Sequence, residues 1–173
     1  MAFQLIKGSV LDADADALVL TMDGARPGME GNIARAFERR WPDAYGEVSE
    51  QIRHPVPLGR TIPTVAESPI PFKLVLWAST LHHEHVLSDA EKTSIVANAL
   101  NEAVRLAIQH RCRSIATAVM TGGWRVSFDE ALQVMLRTLG PSASNQFMPT
   151  VSIYVLSGRE WERAQSTLAE LQQ

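Results

Sequence analysis

The apolar run Ala17-Leu18-Val19-Leu20 is too short for a helix and shows no polar alternation, so it predicts a strand buried on both faces, carried to Thr21. Lys73-Leu74-Val75-Leu76-Trp77-Ala78 predicts a central strand, and Ser114–Met120 a buried one. Residues 3–7 read as a short first strand and Val151–Leu156 as the last. Thr61–Ala66 alternates loosely, and Pro63, which lacks an N–H, assigns it to an edge or a bulge. Between the first two strands, Asp12, Asp14 and Asp16 alternate with alanines, which predicts a solvent-facing loop.

Helical spacing appears at Ile33, Ala36 and Phe37, with Arg35, Glu38 and Arg39 facing out, which predicts a helix over 32–41. Pro42 stops that helix, and Asp43 is placed to cap a second reaching about residue 52. Three Ser-x-x-Glu capping boxes follow, Ser88–Glu91, Ser127–Glu130 and Ser157–Glu160, each opening a helix. The first opens the longest, to about His110, with a buried stripe of Ile95, Ala99, Leu100, Ala103, Val104, Ala107 and Ile108. Gly140–Asn145 reads as a loop, and no repeat or linker divides residues 1–173 into separate domains.

Strands interleaved with helices predict a three-layer α/β/α fold with a mostly parallel sheet, and ligands of such sheets settle at the carboxyl ends of the strands. Two glycine-bearing loops leave strands at that end. One runs from Asp23 through Gly28, Met29 and Gly31 into the helix opening at Asn32; the other is Thr121-Gly122-Gly123-Trp124-Arg125. A strand that passes through a glycine turn into a helix presents unpaired N–H groups and the positive end of the helix dipole, a site for phosphate or carboxylate.

Composition narrows the partner. Net charge is −3 with no dense Lys/Arg tract, so no nucleic acid is expected. No apolar run approaches a membrane span and no signal peptide is visible, so a cytoplasmic protein is expected. The single cysteine, Cys112, excludes an internal disulfide and a cysteine zinc cage. Arg111 and Arg113 beside it have the charge to lower a thiol pKa, but no cysteine–histidine motif accompanies it, and a structural thiol is the simpler reading. His82, His83 and His85 match no metal-binding spacing and read as a loop; no metal or cofactor is implied.

At these residues the chain resembles a macrodomain. Gly8-Ser9-Val10 is similar to the family's Gly-Asp-Ile step after the first strand, and Gly28-Met29-Glu30-Gly31-Asn32-Ile33 to its Gly-Val-Asp-Gly entry into a helix. Leu20-Thr21-Met22-Asp23 stands at the place of Asn-Ala-Ala-Asn. Leu58-Gly59-Arg60-Thr61 resembles a later glycine-to-threonine strand entry, and Ser114-Ile115-Ala116 a Ser-Ile-Ala strand. Thr121-Gly122-Gly123-Trp124 resembles Thr-Gly-Ile-Tyr, one residue closer to its strand.

The resemblance implies binding of ADP-ribose or a related nucleotide diphosphate, free or on an ADP-ribosylated protein. The two loops would hold the diphosphate, Ser9 and Val10 would lie near the base, and Asp23 and Glu30 near the distal ribose. Trp124 either stacks on the ligand or covers the core rim. Three departures matter: Ser9 replaces an aspartate that accepts from adenine, Asp23 replaces an asparagine, and Arg125 replaces a glycine, either pairing with phosphate or closing the groove. Two further readings stay open. One is a hydrolase of ADP-ribose conjugates with Glu30, and Asp23 beside it, positioning water; the other is a protein-interaction scaffold that has lost the nucleotide. Asp23 has a simpler role in Asp-Gly turn chemistry, and Glu30 in favouring the helix dipole.

Overall fold

The computed structural model describes residues 3–28, 31–123, 125–140 and 148–171; Met29, Glu30, Trp124 and most of the expected 140–145 loop lie outside the described residues. The described elements are β1 (Phe3–Lys7), a 3-10 turn (Val10–Asp12), β2 (Ala17–Asp23), α1 (Asn32–Arg40), α2 (Pro42–Glu50), β3 (Thr61–Thr64), β4 (Leu74–Leu81), α3 (Asp89–Gln109), β5 (Ser114–Ala118), α4 (Phe128–Leu139), β6 (Thr150–Val155) and α5 (Gly158–Leu171). They form a three-layer α/β/α fold whose sheet has the order β1-β6-β5-β2-β4-β3. Every pairing is parallel except β3 against β4, so the sheet is mixed and mostly parallel.

Side-chain alternation divides the core in two, because successive residues of a strand face opposite sides. Ala17 and Val19 of β2, with Leu74, Leu76 and Ala78 of β4, pack under α3, α4 and α5. Leu18, Leu20 and Met22, with Val75 and Trp77, pack under α1, α2 and the 3-10 turn. The fully buried Trp77 ring keeps its N–H satisfied by Thr64 Oγ1 at 3.0 Å. The capping boxes of α3 and α4 are complete, and at α5 Glu160 N donates to Ser157 Oγ.

Several boundaries differ from the sequence reading. β2 and β4 continue to Asp23 and Leu81 because their parallel pairing persists past the apolar residues, through a register shift between Met22 and Asp23. Hydrophobicity stops marking the strands there, since Thr21, Asp23, Ser79 and Thr80 are polar. β5 ends early, at Ala118, and Met120 N turns to Met135 Sδ on α4. Pro42 opens α2 rather than merely ending α1: Trp41 serves both helices as cap, and Asp43 sits in the first turn. Ile108 is 40% exposed, and Val96 and Leu106 take its place in the α3 stripe.

The Asp12–Asp16 segment is no simple solvent loop. Ala13 and Ala15 are buried, and Ser9 Oγ caps the 3-10 turn by accepting from Leu11 N. Asp16 pins the amino ends of three strands. Its carboxylate meets Lys73 Nζ and accepts from Arg113 N, its carbonyl accepts from Lys73 N and Leu74 N, and its N–H donates to Ser114 Oγ. The Lys73 ammonium, then the Arg113 N–H, hold its pKa below the usual carboxylate value.

Candidate functional site

A cleft of about 700 Å³ opens across the carboxyl ends of the five parallel strands. Gly8 follows β1, Val155 ends β6 and Leu156 follows it, Ala118 ends β5 with Val119 and Thr121 after it, Thr21–Asp23 end β2, and Thr80 and Leu81 end β4. One face of α1 forms a wall: Asn32, Ile33, Arg35, Ala36 and Arg39. The 3-10 turn contributes Ser9, Val10 and Leu11, and Phe128, Tyr154 and Glu160 complete the lining. The volume lies within the range of small-molecule sites.

Of the residues singled out in the sequence, Ser9, Val10, Asp23, Gly31, Asn32, Thr121 and Gly123 meet at this cleft. Gly28, at φ +80°, Gly122 and Arg125 are not part of its lining. Met29, Glu30 and Trp124 lie outside the described residues.

Gly31 is the N-cap of α1 and has no side chain to offer the first-turn N–H groups; its own N–H reaches Thr21 O at 3.4 Å. This end therefore differs from α3 and α4, whose serine caps occupy the corresponding donors. The opposite loop turns through two successive left-handed glycines, Gly122 at φ +57° and Gly123 at φ +64°. A Cβ on Gly122 would lie 3.0 Å from the Thr80 carbonyl oxygen, and one on Gly123 2.9 Å from Leu81 Cδ2. The loop thus rests directly on the end of β4.

Asp23 does something other than face a ligand. Its side chain has no exposed surface, so the little of the residue that reaches the cleft is main chain. Oδ1 accepts from Ala25 N at 2.9 Å, and Oδ2 accepts from His83 N at 3.0 Å and His83 Nδ1 at 2.8 Å. Burial is the largest single influence and pushes the pKa up, but the bonds from Ala25 and His83 together hold it below the usual carboxylate value. The carboxylate is a fixed anion that ties the end of β2 to the loop after β4. This agrees with the turn reading and leaves no oxygen directed at the cleft.

The histidines belong to the same tie. His82 is buried and its Nε2 lies 2.7 Å from the Val56 carbonyl, an acceptor, so this nitrogen carries the proton. His83 donates to Asp23, and the His82 and His85 rings lie 5.0 Å apart. Among the described residues, no group of three His, Cys, Asp or Glu side chains is placed to share a metal ion.

Arg125 has partners within the chain. Its guanidinium donates to the carbonyls of His85 at 2.8 Å and His83 at 3.5 Å, strapping the glycine loop to the loop after β4. Asp23, His83 and Arg125 thereby connect the two loops that flank the α1 end of the cleft. Ser9 Oγ already accepts from Leu11 N at 3.3 Å, although a hydroxyl keeps a donor and a second lone pair. Cys112 is a buried free thiol; burial and then Asp16 push its pKa up, against the sense expected from Arg111 and Arg113.

Sequence reasoning missed Tyr154, Leu156, Phe128, Glu160, Thr80, Leu81, Arg35 and Arg39 as lining. The first four come from the end of β6 and the starts of α4 and α5, which the sheet order brings to one cleft. A shallower depression of about 380 Å³ lies between β3 and α3, around Arg60, Asn98, Asn101, Glu102 and Arg105. Its charges hold the fold: Glu102 accepts from Thr61 N at 2.9 Å and pairs with Arg60 and Arg105.

The family model for the Macro domain matches residues 23–135. The solved structures include similar proteins along nearly the whole chain. The Oceanobacillus iheyensis macrodomain with MES bound aligns with a TM-score of 0.83 at 17% identity, covering 98% of this chain and 91% of that one. The same macrodomain with ADP aligns at 0.81 and 17%, covering 98% and 90%. The macrodomain of Mycobacterium tuberculosis DarG aligns at 0.69 and 21%, covering 90% and 98%. No curated protein sequence matches the chain. With the element order, the cleft and a family match over most of its length, the chain belongs to the Macro domain family.

Proposed function

We propose that the cleft binds ADP-ribose or a related nucleotide diphosphate, free or displayed on an ADP-ribosylated protein. The observation that carries this is the pairing of two unlike ends in one continuous cavity. One end has the uncapped start of α1, Thr21, Thr121 and the left-handed glycine loop; the other has Val10, Leu11, Tyr154, Val155 and Leu156. Backbone donors and a helix N-terminus suit a diphosphate, and an apolar, partly aromatic wall suits a base. The structures of the similar Oceanobacillus iheyensis macrodomain with ADP, and of a mutant of it with ADPR, support the reading.

Asp23, the second of the two candidate acids, has its carboxylate fully engaged with Ala25 and His83, so hydrolysis would rest on Glu30 alone. The residues form one domain in this proposal. A cytoplasmic location, where the buried free thiol of Cys112 stays reduced, completes it. Among the described residues no helix is long and apolar enough to cross a membrane.

Calorimetric titration with ADP-ribose tests the reading. A one-site isotherm with a dissociation constant on the order of 1–100 µM, about −8 to −5 kcal/mol, is expected. Flat heats at about 1 mM ligand would overturn it and leave the scaffold reading in its place.

A further inference from the structure

The wall formed by α1 carries the feature that the diphosphate reading does not use. Gly31 N bonds to Thr21 O, which places the start of the helix at the end of β2. At the other end, Arg40 Nη1 donates to Leu11 O and pairs with Asp12, which places the last turn over the 3-10 turn. α1 therefore runs along the cleft from its polar end to its Ser9–Leu11 end. Arg35 and Arg39 stand one turn apart on the face that lines the cavity, about 6 Å along the axis.

Both arginines are exposed, and neither guanidinium bonds to a described residue. Arg40, Arg60, Arg105, Arg125 and Arg163 each reach a carboxylate or carbonyl; of the described arginines whose guanidinium reaches neither, only Arg35 and Arg39 line the cleft. Opposing charge at the cleft is limited among the described residues. Asp23 is enclosed by its own bonds, and Glu160 lies at the start of α5, beyond β6. The diphosphate is assigned to the Asn32 end, so Arg39, seven residues on, stands about two helix turns or about 10 Å beyond it, beside the place of the base and its ribose. A guanidinium there has the planar donor fork that suits a phosphate.

We infer that the preferred ligand is a nucleotide diphosphate bearing a further phosphomonoester on the ribose of its base, and that Arg35 and Arg39 bind this phosphate. The inference rests on the nucleotide reading above and extends it to the ligand's total charge. Calorimetry with ADP-ribose and with ADP-ribose 2′-phosphate, on the full chain and on Arg39→Ala and Arg35→Ala, tests it. Thermal unfolding of each variant checks that the fold is intact.

The unaltered chain is expected to bind the 2′-phosphate about tenfold or more tightly than ADP-ribose, the size of one charge-assisted contact. Arg39→Ala should bring that ratio to about 2 while weakening ADP-ribose only about threefold, and Arg39→Lys should retain part of the preference. Equal affinities in the unaltered chain, with ADP-ribose itself bound, would overturn this inference alone; so would a preference that survives both alanine variants. If neither ligand binds, the nucleotide reading fails and this one falls with it.

Discussion

Asp23→Ala is expected to lower the free energy of unfolding by about 3 kcal/mol or more, a large part of the 5–15 kcal/mol typical of a domain. The substitution removes an acceptor of three bonds and leaves the N–H groups of Ala25 and His83 and the His83 imidazole without it, next to the end of β2. A buried donor without a partner costs about 1–3 kcal/mol. Water entering from the cleft would recover part of this. Asp23→Asn should lose less, because its amide oxygen still accepts on one side while its NH₂ group faces a donor on the other. Urea unfolding at neutral pH measures both, and a loss under about 0.5 kcal/mol for the alanine variant would contradict the role assigned to this carboxylate.

The pH dependence has a definite sign. Asp23 has a folded pKa below its ordinary value of 3.8, so the folded chain favours the ionised form. Its contribution is present above about pH 4 and is lost as the pH falls through the lowered folded value. Asp23→Asn should therefore flatten the acid limb of the stability curve. It should not abolish it, because Asp16, Glu47, Asp89 and Glu91 also have lowered values.

Gly122→Val is expected to weaken nucleotide binding by about 100-fold or more, about 2.7 kcal/mol, and to lower Tm by about 4–8 °C. At φ +57° an L-residue costs about 1–2 kcal/mol, and a β-branched one more. The added Cβ also meets the Thr80 carbonyl at 3.0 Å, and main chain cannot swing aside as a flexible side chain does. The strain is relieved only if the loop lifts from β4, taking Thr121 and Gly123 out of the cleft wall. Gly46→Ala on α2 is the control. No atom crowds its Cβ, and helix propensity predicts a gain of about 0.5–1 kcal/mol with binding unchanged. Equal binding by Gly122→Val and the unaltered chain would remove the glycine loop from the site.

The sheet was legible in the sequence because β2 and β4 open on continuous apolar runs and β5 and β6 are mostly apolar. Pro63 pointed to an edge or a bulge, and β3 is an edge strand. Where polar residues continue a strand, as at Ser79 and Thr80, the pattern falls silent although the backbone pairing does not. The candidate cleft was legible where glycines mark loops, at Gly31, Thr121 and Gly123. It was not legible where its lining depends on sheet order, which sets Tyr154 of β6 and Leu156 after it beside Ser9 after β1.

Three roles required coordinates for a specific reason. Asp23 and Arg125 stand at family ligand positions; the turn bond of Asp23 to Ala25 was legible, but the partner each finds about 40 to 60 residues away in the loop after β4 was not. Arg35 and Arg39 read as solvent-facing, which they are. Only the course of α1 from Thr21 to Leu11 shows that the solvent they face lies in the cleft.

The central claim is that this cleft, rather than another surface, takes the nucleotide. Titrating the ¹⁵N-labelled chain with ADP-ribose and following its amide resonances tests it most directly. The account predicts that Ser9–Leu11, Asn32, Ile33 and Thr121–Gly123 shift together with one saturation curve, while Asn98, Asn101 and Glu102 beside β3 stay in place. Shifts confined to that second depression, or none at saturating ligand, would contradict it.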